Sequence, residues 1–360
     1  MLALELSLLL RQRGHAVRLA CPPGSRIHAG AEAAGLATFP LNVRGYAHPL
    51  LALRLSRLLR AEGIQIVHCE HSRDLATVVP AVLLSGRRIP IILTRHVGSF
   101  LQKRDPFHRF TYHFVSRVVA ISSVIRRNVI ETTPMRPERV LVIHNGVDLA
   151  TFTPERGERD TARREFGYGG QDCVVGMVSR LSPGKGHEEL LKAVSILHRQ
   201  YPEVRALVVG GASRNEEAYA EGIFRMARSL GLEGVVTFTG YRTDIPALLS
   251  ATDIFAFPSH AEAFGLVLIE AMAMEKPVVS TNCDGVLDIV EDGVSGILVP
   301  PRSAEELARA LGSLVRDTER RTALARGGRT RALTAFDRGR QIKSLEDLYA
   351  DVLREAPPSS

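Results

Sequence analysis

Hydrophobic positions along this 360-residue chain follow two alternating rhythms. Short, almost wholly apolar runs rich in valine and isoleucine alternate with longer stretches in which leucine, alanine and valine return every three or four positions. The first rhythm predicts buried strands and the second predicts amphipathic helices. In order, the pattern predicts a helix over 2–13, a strand over 15–20 after the Gly14 stop, a helix over 50–61 and a strand over 64–69. A helix over 74–85, a strand over 89–94, a helix over 107–114 and short strands over 118–121 and 140–143 follow. The pattern restarts with a strand over 173–178, then a helix over 188–199, a strand over 204–209 and a helix over 216–230. It continues with a strand over 235–239, a helix over 245–251, a strand over 254–257, a helix over 265–274 and a strand over 278–280.

Strands alternating with helices imply parallel sheets with crossover helices, an α/β class. The two series are separated by a charged, Gly-containing segment at 154–170. Two doubly wound, Rossmann-like domains are therefore expected, over 1–152 and 153–335, with a final helix within 336–360 packing back toward the first domain. No internal repeat is visible. In open α/β sheets ligands sit at the carboxyl ends of strands, so the residues that follow strands carry the search for chemistry.

Composition narrows the classes. With 45% hydrophobic and 24% charged residues, disordered, collagen-like and coiled-coil readings fall away. The longest uncharged stretches, such as 75–85, are far shorter than the ~18 residues a membrane-spanning helix needs. Cys21, Cys69, Cys173 and Cys283 lie far apart, which argues against a disulfide scaffold or zinc cluster and fits a reducing cytosol. The apolar start contains Glu5 and has no preceding basic residue. Arg18 also interrupts what would be a lipoprotein box at Cys21, so the start reads as a helix rather than a signal peptide. The net charge of +7 is uneven: residues 1–150 carry 20 Lys and Arg against 9 Asp and Glu, and the remainder carries 26 against 30. A basic half suits an anionic partner. Nucleic acid is disfavoured as that partner, because aromatics are few and no recognition motif is present.

Two clusters carry candidate chemistry. After the strand at 173–178 come Ser179, Arg180, Leu181, Ser182, Pro183, Gly184, Lys185 and Gly186. A guanidinium fork and an ammonium on a Gly-containing loop suit a diphosphate. Neither a Walker loop nor a dinucleotide fingerprint fits this spacing. After the strand at 254–257 come Pro258, Ser259, His260, Ala261, Glu262, Ala263, Phe264, Gly265 and Leu266, opening a helix that contains Glu270. Amides at that helix start favour an anion. Glu270 lies about 8 Å further along the axis, a fitting offset from a diphosphate to ribose hydroxyls. Its apolar neighbours Leu268, Ile269, Ala271 and Met272 make an unpaired carboxylate costly there.

Arg180, Lys185 and the Glu262-x7-Glu270 spacing together resemble the retaining family 4 glycosyltransferases, also called glycosyl transferases group 1. So do His144-Asn145-Gly146-Val147-Asp148, Gly240 after its strand, and Asp292-Gly293-x-x-Gly296 before Leu298-Val299-Pro300-Pro301. The likeness runs from Leu4 to Leu348. It implies a GT-B architecture, two Rossmann-like domains facing across a cleft. Arg180 and Lys185 would neutralise the leaving diphosphate. The amides of Phe264, Gly265 and Leu266 would contact sugar or diphosphate, Glu262 the transferred sugar and Glu270 the ribose, while Gly240 and Tyr241 would line the base pocket. Thr94-Arg95-His96 resembles the family's Thr-x-His, in which the histidine approaches the donor sugar. The likeness implies a nucleotide-diphosphate sugar as donor, transfer with retention assisted by the leaving phosphate, and no obligatory metal or other cofactor. No second carboxylate for double displacement is evident.

The family begins with a strand and a Gly-rich loop ahead of the helix that here starts near Leu2. This departure predicts either a start assigned too far downstream or a truncated, poorly active first domain. Cys283-Asp284-Gly285 stands where adjacent glycines are usual, and Asp288 stands for the commoner Glu. The acceptor, a glycan or lipid-linked sugar of bacterial envelope polysaccharide or lipopolysaccharide synthesis, is expected on the basic half. Arg54, Arg57 and Arg60, with Lys103, Arg104 and Arg109 among Phe100, Phe107, Phe110 and Tyr112, suit weak docking to an anionic membrane face. The expected location is the cytoplasm, at the inner face of the membrane. His68 and His71 read as lining residues rather than metal ligands, and His187 as a helix-start residue. A GT-B nucleotide-sugar 2-epimerase and a non-catalytic sugar-nucleotide-binding protein are the alternative readings.

Overall fold

The computed structural model describes residues 2–43, 45, 48–156 and 158–355. Their chain divides into two compact units: residues up to His144 together with those from Gly339 onward, and Asn145–Arg338.

In the first unit α1 (Leu2–Gln12), β1 (Leu19–Cys21), α2 (Arg26–Ala33), β2 (Thr38–Pro40), α3 (Pro49–Ala61) and β3 (Val67–Cys69) lead to α4 (Leu75–Ser85) and β4 (Ile91–Arg95). Then come α5 (Pro106–His113), β5 (Val115–Ala120), α6 (Ser123–Thr132) and β6 (Val140–Val142). All pairings are parallel. β1 pairs with β2 alone, and β3-β4-β5-β6 form a separate sheet. The strand expected over 15–20 is confined to Leu19–Cys21, because the three-residue register with Thr38–Pro40 is all the pairing it has. Helix α1 serves both sheets. Leu4 packs with Ala31 and Leu36 beside Leu19, whereas Leu6 packs on Ile92 of β4 and Val119 of β5. The chain's last helix, Arg338–Glu355, joins that second cluster through Ile342, Leu345, Leu348 and Val352, and Glu346 pairs with Arg13 and His15.

The second unit holds α7 (Arg159–Glu165), β7 (Cys173–Val178), α8 (His187–Gln200), β8 (Val204–Val209), α9 (Glu217–Ser229) and β9 (Val236–Phe238). It continues with α10 (Ile245–Ala251), β10 (Ile254–Phe257), α11 (Leu266–Ala273), β11 (Val278–Thr281), α12 (Val286–Ile289), β12 (Ile297–Val299), α13 (Ala304–Arg316) and α14 (Thr318–Ala335). Its parallel sheet runs β12-β11-β10-β7-β8-β9. The central strand Cys-Val-Val-Gly-Met-Val is a near-continuous apolar run because both faces are covered. Val175 and Met177 face the cluster that includes α8 and α13, while Val174 faces the smaller one with Ala162 of α7 and Leu248 of α10. The two ends of the unit are stitched together, with Val147 N–H donating to Phe336 O and Arg338 N–H to Val147 O.

Several helices were not anticipated from the pattern; α13 nonetheless carries an apolar stripe through Ala304, Leu307, Leu311 and Leu314, whereas others lack a strong one. Helix α14 is one: Gly327 and Gly328 stand mid-helix because a Cβ on Gly327 would meet Val294 O at 2.0 Å. Others are marked by caps. Ser303 accepts from Glu306 N–H at the start of α13, and Ser122 from Ile125 N–H at the start of α6. All four cysteines are free and buried.

Candidate functional site

The order of the second sheet reverses at β7: the chain moves outward through β8 and β9, then returns to β10 on the other side. A crevice forms at the carboxyl ends of β7 and β10 in such a sheet. Both loops singled out from the sequence emerge there. They are stitched by a backbone hydrogen bond from His260 N–H to Gly184 O, 2.8 Å. Gly186 sits so close to the second loop that a Cβ would lie 2.1 Å from Pro258 O.

Lys185 and Glu262 meet directly, Nζ to Oε2 at 2.7 Å, with only about a fifth of each side chain exposed. Arg180 has a different partner. It is exposed, and its guanidinium donates to Ser213 Oγ at 3.1 Å, beside Glu216. Glu216 is held below its usual value chiefly by hydrogen bonds from Ser182 and Ser213. The structure thus gives the two cations separate partners on neighbouring loops. Helix α11 opens at Gly265, whose φ of +102° lies in the left-handed region that favours glycine. The Phe264 ring is buried against Phe336, centroids 6.0 Å apart, so that only its backbone is available to a ligand. Leu266 begins the helix, and Glu270, half-buried, lies one turn on. Gly240 forms a bridge with Gly210, and Tyr241 next to it is three-quarters exposed.

Asp284 adopts φ +43°, which an aspartate tolerates better than most residues and which explains why a glycine is natural there. Cys283 is buried against Thr281 Oγ1 and Ser259 O, and burial raises its thiol pKa.

In the first unit Thr94 and Arg95 end β4, and His96 follows it directly. His96 Nε2 contacts Glu70 Oε2 at 2.6 Å. Burial opposes ionisation of Glu70, yet the His96 hydrogen bond and the charges of His68, His96 and His71 outweigh it, and the net shift is downward. An ionised Glu70 accepts, so the Nε2 proton is fixed and Nδ1 is left as the other face of the ring. His68 is committed on both sides, Nδ1 to Tyr349 OH and Nε2 to Thr94 Oγ1, each at 2.7 Å. Neither nitrogen is left for a metal.

Besides the contact of Lys185 with Glu262, two further pairings lay beyond sequence reasoning. One is Glu70–His96, from separate strand ends. The other is His260 Nε2–Glu189 Oε1 at 2.9 Å, between the second loop and α8. No local spacing signals either, because both rely on sheet neighbours. His187 heads α8 and is buried between Ser179 Oγ (3.1 Å) and Tyr219, and burial lowers its pKa to about 4.

Two family models match in tandem along most of the chain: Glycosyltransferase Family 4 over residues 1–151 and Glycosyl transferases group 1 over 158–331. The chain belongs to family 4 of the glycosyltransferases. A D-inositol 3-phosphate glycosyltransferase of Salinispora arenicola is 34% identical over 308 residues, 83% of this chain and 66% of that protein. The matches to such curated relatives span between 40% and 66% of the relatives' own length. Among solved structures, Anabaena Alr3699/HepE in complex with UDP and glucose superposes with a TM-score of 0.81 at 26% identity, covering 97% of this chain and 95% of that one. A glycosyltransferase from Rickettsia africae gives a TM-score of 0.88 at 21% identity, covering 98% and 94%. The fold is that of the GT-B class, with amino- and carboxyl-terminal Rossmann-like domains. Among the described residues, no helix is long and apolar enough to cross a membrane.

Proposed function

We propose that this family 4 member is a retaining glycosyltransferase that moves a sugar from a nucleotide-diphosphate sugar to a glycan or lipid-linked acceptor of the bacterial envelope. The observation that carries the reading is the meeting of two loops at the sheet's switch point, where Lys185 and Glu262 pair 2.7 Å apart beside the amino end of α11. Lys185 would exchange part of its bond to Glu262 for the departing diphosphate, and Arg180 would swing from Ser213 to the same group. The amides at Phe264, Gly265 and Leu266 would complete the anion site, Glu270 would hold the ribose, and Gly240 and Tyr241 would border the base. Glu262, released from Lys185, would face the transferred sugar. His96, held by Glu70, would help to position the transferred sugar. The UDP and glucose bound by the Anabaena protein support a hexose donor of this type. The names of the curated relatives support an acceptor that bears a phosphate. The basic first half supports weak contact with anionic lipid at the cytoplasmic face of the membrane.

The test is to mix the protein with radiolabelled UDP-, GDP- and ADP-sugars, and to measure transfer, donor hydrolysis and nucleotide affinity. Arg180→Ala and Lys185→Ala are each expected to weaken donor binding at least tenfold, and together to abolish turnover. Unchanged nucleotide affinity and turnover in the double variant would overturn the proposal. Epimerised donor as the only product would favour a 2-epimerase, and binding without any turnover a non-catalytic role.

A further inference from the structure

Beside the His96 site, on the other side of β4, lies a group of polar side chains that the proposed transfer does not use. Arg95 ends β4 and is 6% exposed. Its guanidinium reaches Tyr112 OH at 3.5 Å and Val97 O at 3.1 Å, so two of its five N–H groups have acceptors among the described residues. Lys103 Nζ donates to Ser72 Oγ at 2.8 Å. Ser72 also neighbours the Tyr112 hydroxyl, so Lys103, Ser72, Tyr112 and Arg95 form one group.

No carboxylate balances these two cations among the described residues. Asp74, nearest to Ser72, interacts with His71, Arg73 and Glu70. Asp105 caps α5 and pairs with His108. Burial, with the like charge of Arg95, lowers Lys103 to about 8. Arg95 is buried and Lys103 half-buried, and like charges held close without a counter-charge cost stability unless something anionic completes them. The group is also held in place. Lys103 N–H donates to Thr132 O, and the Ser99 backbone exchanges two hydrogen bonds with the Asn128 amide, which ties this loop to α6. A planar fork, a point charge and two hydroxyls held together match the oxygens of a phosphate.

We propose that Arg95, Lys103, Ser72 and Tyr112 form a binding site for the phosphate of a phosphomonoester acceptor. The assignment of that phosphate to an acceptor rests on the proposed transfer; the anion site itself does not.

The experiment titrates inorganic phosphate into the full chain by calorimetry, in an Arg180→Ala/Lys185→Ala background that silences the donor loops. Binding is expected to persist there. Lys103→Met in that background should weaken it at least tenfold and Ser72→Ala several-fold, while Lys103→Arg should keep it within about threefold. Glycerol 3-phosphate should bind as well as inorganic phosphate, and glycerol should not bind. Circular dichroism checks that each variant is folded, and Ser72→Ala keeps the test open should Lys103→Met unfold. Phosphate affinity that ignores Lys103→Met or Ser72→Ala, or no binding in the background, would overturn the site. Binding of inorganic phosphate without the monoester would overturn the acceptor assignment. UDP titrated into the unaltered protein reports on the donor reading alone, so the two failures separate.

Discussion

Gly184 and Gly186 flank Lys185 and share nearly the same backbone, φ +81° and +82°, but not the same surroundings. An alanine at Gly184 meets nothing within 4 Å, so it pays only for the left-handed backbone, about 1–2 kcal/mol. An alanine at Gly186 carries the same backbone term, and its Cβ would stand 2.1 Å from Pro258 O and 2.6 Å from the carbonyl carbon. Real contacts of this kind lie beyond about 3.4 Å, so the two loops must part by more than 1 Å or the chain must strain; overpacking of that sort adds about 1–3 kcal/mol. For a unit spanning 145–338, each kcal/mol lowers the midpoint by about 2–4 °C. Gly186→Ala should therefore melt about 2–12 °C below Gly184→Ala. It should also lose donor affinity, because the parting carries Lys185 away from Glu262. With no tryptophan in the chain, circular dichroism and tyrosine fluorescence are the readouts. Equal melting points and equal nucleotide affinities in the two variants would refute the claim that backbone contact between the loops shapes the site.

Burial holds His187 near 4, below its unfolded value of about 6.5, so the unfolded chain binds more protons between those limits. Stability should fall by about 3 kcal/mol as pH drops from 6.5 to about 4 and stay level above 6.5; a His187→Gln protein whose denaturation midpoints keep the same slope in that window would contradict this. Glu70→Gln retains the shape of the His96 partner without its charge, and is expected to slow transfer about tenfold with little change in melting temperature. In a His96→Ala background it should have no further effect, and additive losses in that double-mutant cycle would show that Glu70 acts elsewhere. Phe100 and Leu101 are exposed beside Arg104. Phe100→Glu/Leu101→Glu should reduce flotation with anionic liposomes, and equal flotation of both forms would move the membrane contact off this loop.

Alternation of buried strands and amphipathic helices is a local property, so the α/β class, the restart near Cys173 and the strands that precede both candidate loops were legible from sequence. The chemical types on those loops were legible for the same reason: Arg180, Lys185, Glu262 and Glu270 stand at strand ends or helix starts that the pattern itself marks. What remained hidden depended on which strands become neighbours. The contact of Lys185 with Glu262 exists because β7 and β10, far apart in the chain, lie side by side. Glu70 meets His96 because β3 pairs with β4. Helix α14 shows no apolar stripe, and its glycines make sense only against the loop at Val294. Periodicity reports on burial within one element, whereas charge pairing and close backbone approach arise between elements, and only the folded chain brings those together.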